Sequence, residues 1–173
     1  MHKGFFNRSA EKVARKLLGK VLVRKTNGIE KRARIVETEA YFDERDPASR
    51  ARQNGDLKET MKMEAGTILV YGVHNNWLVN IVTEKKGKAS AVLIRAAEPL
   101  NFNGSCNGPG LLTRTLEINK TLHKKNIFID KDIRILDSNR KYDIVKSFRV
   151  GVSKDLPKKL RFYIKDNKFV SRK

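Results

Sequence analysis

The first segment in which apolar residues recur at helical spacing is RSAEKVARKLLGK, residues 8–20. Residues three and four positions apart share one face of a helix, so this pattern predicts an amphipathic helix. The predicted apolar face consists of Ala10, Val13, Ala14, Leu17 and Leu18. Ser9 suits the N-cap, and Gly19 follows the last apolar residue, as is typical where a helix ends.

The segments after this helix have the pattern of β-strands. VLVRK at 21–25 and IEKRARIVETEAYF at 29–42 flank Asn27-Gly28, a strong hairpin-turn signal, and the second strand is long enough to bend or bulge. GTILVYGVHNNWLVNIV at 66–82 predicts two strands around a tip at 72–76. ASAVLIRAAEP at 89–99 is almost unbroken in its apolar character and predicts a central strand.

Two other segments have less regular patterns. DERDPASRARQNGDLK at 43–58 is polar and contains Pro47 and Gly55, so it predicts an exposed loop. Pro109 fits the first turn of a second helix within GLLTRTLEINK. A helix start can bind phosphate, but NGPG at 107–110 lacks the lysine and spacing of a nucleotide-binding loop. Strands gathered around two helices predict an α+β class, and the length fits one domain over residues 1–173.

The charge of the chain narrows the range of partners. Lys and Arg total 38 against 19 Asp and Glu, which gives a formal net charge of +19. Such a surface attracts polyanions, with nucleic acid the first candidate and an anionic membrane surface the second. The lone Cys106 cannot form an intrachain disulfide, so we expect a reduced cytoplasmic protein, nucleoid-associated if bacterial. The sequence shows no apolar run suited to a signal peptide or a membrane span.

Glu37 and Glu39 are the first candidates for chemistry, because alternation along a strand places both on one face. One interpretation is an exposed face that pairs with lysines. A second is that one glutamate activates water. A third is metal ligation as in a nuclease, for which Asp43, Glu44 and Asp46 lie nearby in sequence.

A buried charge and a group of aromatic residues add to this picture. Arg95 interrupts the apolar strand and needs a carboxylate partner, for which Glu37, Glu39 and Glu98 are candidates. In a basic protein, aromatic rings can stack on nucleobases, and the candidates are Tyr41, Tyr71, His74 and Trp77. We expect Trp77 itself to be an ordinary core residue.

The order of these segments resembles the 3-methyladenine (alkyladenine) DNA glycosylase family. The residues that carry the resemblance are RIVETEAYFDERDPASRA, GTILVYGVHNNWLVNIV, VLIRAAEP, NGPGLLTRTLEINK and RVGV. The resemblance implies a compact single-domain α+β fold, with a curved antiparallel β-sheet, flanking helices and a protruding β-hairpin. It also implies a monomer without a cofactor or metal, acting on double-stranded DNA that contains damaged purines.

Site residues follow from the same resemblance, position by position. Glu39 would be the general base, and Arg95 with the backbone around Val152 would hold the attacking water. Tyr41 and Tyr71 would sandwich the flipped base, and Asn80 would line the pocket. At the hairpin tip His74 would insert into the DNA, with Val73 or Asn75 as alternatives.

Two positions depart from the family pattern and bear on substrate range. Arg50 stands in the loop where the family has a histidine that donates to the base. If it points inward, its charge would repel a cationic alkylpurine; the alternative is that it points to a phosphate and leaves the base edge to other groups. Ser153 follows RVGV, where a different residue is usual. Two alternatives remain open beside monofunctional base excision: a non-catalytic nucleic-acid-binding protein on the same scaffold, and a metal-dependent nuclease.

Overall fold

The computed structural model describes residues 1–172 and contains four α-helices and eight β-strands. The helices are α1 (Lys3–Phe6), α2 (Ala10–Leu17), α3 (Asp56–Met61) and α4 (Pro109–Thr115). The strands are β1 (Val21–Thr26), β2 (Ile29–Tyr41), β3 (Ile68–Val73), β4 (Asn76–Val82), β5 (Ala91–Pro99), β6 (Ile133–Leu136), β7 (Ile144–Ser147) and β8 (Arg161–Ile164). No helix within residues 1–172 has the length and apolar character needed to cross a membrane.

All eight strands belong to one curled antiparallel sheet, which confirms the predicted α+β class. Its main order is β3-β4-β5-β2-β1-β6, and β7 and β8 extend it beside β2. Strand β5 lies between β4 and β2, as its unbroken apolar sequence predicts.

Strand β2 is the longest strand and organises the candidate site. It pairs with β5 along one edge, while its other edge pairs first with β1 and then, over Glu37–Glu39, with β8. The register against β5 shifts around residues 35–38, which is the irregularity expected of so long a strand. Both edges of β2 are therefore covered where the two glutamates lie, and both side chains are buried.

Helix α2 packs on the sheet through the predicted apolar face and reaches β2 directly. The Thr38 hydroxyl donates a hydrogen bond to the Ala14 carbonyl of α2 (2.9 Å). By alternation, the neighbouring Glu37 and Glu39 side chains point to the face opposite the helix. Ser9 occupies the N-cap without a side-chain hydrogen bond, and its carbonyl accepts from the Val13 N–H.

The two predicted hairpins are present, and both close in two-residue turns. Asn27 and Gly28 have positive φ between β1 and β2, as a type I′ turn requires. His74 and Asn75 also have positive φ (46° and 59°), so the tip between β3 and β4 is narrower than the predicted 72–76.

Two predictions about burial are wrong. The segment 43–58 is not simply an exposed loop, because it contains a 3₁₀ turn (Arg50–Arg52), the start of α3 and the buried Asp46, which forms an ion pair. Trp77 is not a core residue: it is 37% exposed and pairs in register with Gly72 near the hairpin tip. Strand pattern alone did not show that the hairpin end lies beyond the core.

Candidate active site

Glu39 lies in the middle of the sheet and is completely buried. One carboxylate oxygen, Oε1, accepts a hydrogen bond from the backbone N–H of Val150 (2.8 Å). The other, Oε2, accepts from the hydroxyl of Tyr41 (2.8 Å) and lies 3.6 Å from Nη1 of Arg95. Two neutral donors and one more distant cation therefore surround this carboxylate.

The surroundings of Glu39 favour retention of a proton. Burial raises its pKa, and the negative charge of Glu37 acts in the same direction. Arg95, the Val150 N–H and the Tyr41 hydroxyl oppose this shift without cancelling it. Burial, followed by the charge of Glu39, also raises the pKa of Tyr41 well above its usual value, so its hydroxyl remains a hydrogen-bond donor.

Glu37, two residues earlier, is equally buried but is bound differently. Its Oε1 accepts from Nε of Arg161 (2.6 Å) and lies 3.1 Å from Nε of Arg95. The backbone N–H of Ser171 donates to Oε2 (2.7 Å), and the Ser171 hydroxyl donates to Oε1 (3.0 Å). The predicted partnership of Arg95 with a carboxylate is confirmed, and it involves both glutamates.

A cavity of about 560 Å³ opens beside Glu39, within the range of small-molecule sites. Six residues that the sequence marked as site candidates line it: Tyr41, Arg50, Tyr71, Arg95, Val152 and Ser153. Glu39 does not line the cavity itself but contacts three residues that do: Tyr41, Arg95 and Val150. The structure therefore brings most of the candidate residues to one opening.

Besides Glu39, the candidates Asn80 and His74 are not among the residues that line this opening. Asn80 lines a narrow cleft behind it, together with Tyr41, Arg50 and Tyr71, and its side-chain amide donates to the Leu69 carbonyl (3.4 Å). His74 lies at the hairpin tip, while the adjacent Val73 lines the cavity. Strand β3 thus connects the cavity wall to the tip.

Comparison with known proteins identifies the family of the chain. The model of the methylpurine-DNA glycosylase family matches residues 4–168. The chain is a member of the methylpurine-DNA glycosylase family. This assignment confirms the resemblance seen in the sequence and places the protein among DNA-repair glycosylases.

Relatives of similar length carry the provisional name 3-methyladenine DNA glycosylase. The protein of Aeropyrum pernix is 42% identical, over 98% of this chain and 92% of its own length. The protein of Borrelia garinii subsp. bavariensis is 38% identical over the whole of both chains. That of Legionella pneumophila (strain Paris) is 39% identical, over 97% of this chain and 96% of its own.

In this glycosylase the position of Arg50 is well defined. Its guanidinium carbon lies 5.1 Å from the centroid of the Tyr71 ring, a cation–π contact at the cavity wall. Arg50 therefore faces the cavity and covers part of the aromatic surface of Tyr71.

Sequence inspection missed a group of buried charges beside the candidate site. The guanidinium of Arg149 binds both carboxylate oxygens of Asp46 and one oxygen of Asp155, and it lies over the ring of Tyr41. Asp46 and Arg149 are 103 residues apart in the chain. Their burial was not visible because Asp46 lies in a polar segment and charged residues are usually exposed unless paired, and the partner is distant in the chain.

The carboxylates considered for a nuclease site do not converge. Asp43 pairs with Arg45 (2.7 Å), and Asp46 pairs with Arg149 (2.7 Å). Within residues 1–172 no set of three or more His, Cys, Asp or Glu side chains is arranged to hold a metal ion. The described part of the chain thus offers no ligand set that would support the nuclease alternative.

The NGPG segment, at the start of α4, packs against the hairpin formed by β3 and β4. A Cβ atom at Gly110 would lie 2.7 Å from Cγ of Asn76, so only glycine permits this close approach of α4. Arg114 of α4 donates to the Asn76 side chain (2.9 Å), and the Asn76 amide donates to the carbonyl of His74 (2.9 Å). Helix α4 is in this way linked to the hairpin tip.

Proposed function

We propose that the protein hydrolyses the N-glycosidic bond of damaged purines in double-stranded DNA and leaves an abasic site. The observation that carries this proposal is the fully buried Glu39, hydrogen-bonded to two residues that line a cavity of about 560 Å³ with aromatic walls. A purine rotated out of the duplex can enter such a cavity, whereas a stacked base cannot.

In the proposed reaction Glu39 acts as the general base. Water forms a bond to C1′ of the sugar while Glu39 accepts a proton from that water. The bond between C1′ and the base breaks, and its electron pair leaves with the base. The Glu39 carboxylate also stabilises the positive charge that develops on the sugar.

The charge of the damaged base determines whether a general acid is needed to protonate it as it leaves. A purine alkylated at N3 or N7 is already cationic, so it leaves as a neutral molecule. A deaminated purine such as hypoxanthine is neutral and must gain a proton to leave as readily. Alkylated purines are therefore the proposed main substrates, and deaminated purines are slower ones.

The remaining site residues have binding roles in this proposal. Tyr41 and Tyr71 hold the flipped base between them, and Asn80 lies behind them. Arg95 and the backbone around Val152 hold the attacking water. His74, at the tight tip between β3 and β4, fills the gap left in the duplex. The net charge of +19 provides contacts to DNA phosphates without reading sequence, and we propose that the protein acts as a monomer.

Assaying free bases released from methylated duplex DNA in the presence of EDTA tests this function. A glycosylase releases 3-methyladenine and leaves strands that break only on treatment with alkali. A metal-dependent nuclease would be inactive under these conditions, and a non-catalytic binder would retain DNA without releasing bases. Strand cleavage that depends on a divalent metal, or binding without any base release, contradicts the proposal.

Arg50 provides a sharper test of substrate range. Its positive charge on the Tyr71 ring disfavours a second cation on the same surface. We expect Arg50→Ala to raise the release of 7-methylguanine relative to hypoxanthine by about fivefold, the size of one exposed cation–π contact. Arg52→Ala is the matched control, since Arg52 lines the same cavity but donates to the Pro47 carbonyl. An unchanged preference in both variants would show that Arg50 turns away from the bound base.

A further inference from the structure

We propose that Arg149 is a positioning residue, which holds the two hydrogen-bond donors of Glu39 in place from behind the cavity wall. The inference rests on the proposed role of Glu39 as general base. Arg149 itself contacts neither Glu39 nor the cavity in this geometry, and it acts through Val150 and Tyr41.

The guanidinium of Arg149 is fixed by its own contacts, and its side chain is fully buried. Nη1 and Nη2 donate to the two oxygens of Asp46 (2.7 Å each), which is the bidentate geometry that arginine favours. Nε and Nη2 donate to Oδ1 of Asp155 (2.9 and 2.6 Å). Nη1 also donates to the carbonyl of Ala40 in β2 (2.9 Å).

These contacts join three chain segments around Glu39. Asp46 lies in the segment after β2, Ala40 lies within β2, and Arg149 and Asp155 belong to the connection between β7 and β8. A lysine at position 149 would keep the charge but could not reproduce the planar set of donors. The guanidinium shape, beyond the charge, is therefore what fixes these segments to one another.

Both donors to Glu39 depend directly on Arg149. The peptide that follows Arg149 provides the Val150 N–H bound to Oε1. The guanidinium carbon of Arg149 lies 4.6 Å from the centroid of the Tyr41 ring, whose hydroxyl is bound to Oε2. Displacement of Arg149 would loosen the peptide and the ring together.

Loosening these donors has a predictable effect on Glu39. Burial, the largest influence, raises the pKa of Glu39, while the Val150 N–H and the Tyr41 hydroxyl lower it. Loss of either hydrogen bond would raise the pKa further and leave less carboxylate at neutral pH. The other charged or titratable groups near Glu39 are Glu37 on β2, Tyr71 on β3, Arg95 on β5 and Arg161 on β8.

The test is a pH titration of the Glu39 carboxyl group in full-length protein without DNA. Infrared difference spectroscopy detects its protonation at each pH. Glu39→Gln identifies the band by its loss. We expect Arg149→Lys to move the midpoint upward by about one pH unit, the scale of one lost hydrogen bond to a carboxylate. The matched control is Arg24→Lys, because Arg24 is also a largely buried arginine but donates to the carbonyls of Lys25, Asp132 and Glu117. That control should leave the midpoint unchanged.

Base release by the same variants provides the second readout. Arg149→Lys should release base more slowly at neutral pH and recover as the pH rises, whereas a merely structural defect would lower the rate equally at every pH. Combination with Tyr41→Phe should shift the midpoint by less than the sum of the single shifts, because the two changes remove one shared interaction.

The outcomes separate this inference from the proposed function. A folded Arg149→Lys protein with an unshifted Glu39 midpoint overturns the positioning role. If Arg149→Lys does not fold, Asp155→Asn takes its place, since it removes one of the two carboxylates that hold Arg149 and should shift the midpoint in the same direction. A shifted midpoint in a protein that releases no base from any lesion would instead support positioning and contradict the glycosylase reaction.

Discussion

The surroundings of Glu37 and Glu39 differ although both carboxylates are buried on the same strand two residues apart. Glu37 has two arginines within 3.1 Å and two further donors from Ser171. Glu39 has one arginine at 3.6 Å, and its closer partners are the neutral donors of Val150 and Tyr41. The charge of Glu37 is compensated within the fold, whereas that of Glu39 is compensated only in part.

This difference agrees with the proposal that β2 holds a structural acid, Glu37, beside a reactive one, Glu39. Arg161 of β8 and Ser171 lie against the Glu37 carboxylate and fill the space around it. The Val150–Ser153 segment lies on the Glu39 side and lines an open cavity. Glu39 is thus bonded to residues of a cavity wall, whereas Glu37 is enclosed by two arginines and Ser171.

The largest expected effect separates the two acids by activity. We expect Glu39→Gln to lower the rate of base release by about 10²–10⁴-fold, the usual contribution of a general base, while DNA binding is retained. The glutamine is close in size and can still accept from the Val150 N–H. Single-turnover release of 3-methyladenine, together with a DNA-binding titration, measures both quantities. Base release that survives this change would assign the base to another residue.

The second expected effect is on stability, at Glu37. Glu37→Gln leaves Arg161 buried without a full negative partner, and we expect it to lower the free energy of unfolding by about 3 kcal/mol, as for other broken buried ion pairs. Its base release per folded molecule should fall far less than that of Glu39→Gln. Urea unfolding and single-turnover assays on the same preparation provide the comparison. Equal losses of activity in the two variants would point to a shared role for the acids.

The smallest expected effect concerns the pH dependence of stability. Because the pKa of Glu39 is raised by burial, its contribution to stability is complete at acidic pH and is lost as the pH rises through the folded-state pKa. Glu39→Gln removes this titration, so the variant should gain stability relative to the wild type between mildly acidic and neutral pH. The gain should grow steadily as the pH rises through this range, because only the wild-type carboxyl group loses a proton there.

Urea unfolding of both proteins across this pH range measures the gain. The sign of the difference in unfolding free energy between the two proteins shows whether the fold raises or lowers the pKa of Glu39. If its partners stabilised the charged carboxylate, Glu39→Gln would lose stability over the same pH range. A constant difference at every pH would mean that Glu39 does not change its protonation on folding.

Much of this arrangement could be predicted from local sequence. Alternation placed Glu37 and Glu39 together, the apolar strand required a carboxylate partner for Arg95, with Glu98 as a further candidate, and Asn27-Gly28 predicted the first hairpin. These features depend on neighbours in sequence or on one obvious requirement for a counter-ion. The sequence did not show that the two glutamates have different partners. Val150 binds Glu39 and Arg161 binds Glu37, and both residues lie more than a hundred positions further along the chain.

Long-range polar contacts also explain the errors. Asp46 looked like part of an exposed loop because its segment is polar, yet its pairing with Arg149 makes burial possible. Trp77 looked like a core residue because large aromatic residues usually are, but its strand leaves the core before the hairpin turn. The burial of Asp46 and the exposure of Trp77 depend on which segments contact each other in the fold, and the composition of a single segment does not show this.

The close approach of Gly110 to Asn76 has a consequence for engineering this protein. Even a methyl group at position 110 would overlap the Asn76 side chain, so α4 and Asn76, which is hydrogen-bonded to the His74 carbonyl in the turn, would have to move apart. A substitution in α4 would thereby change the position of the hairpin tip between β3 and β4, which lies outside the helix. The angle of the tip could thus be varied from position 110 without altering any residue of the cavity.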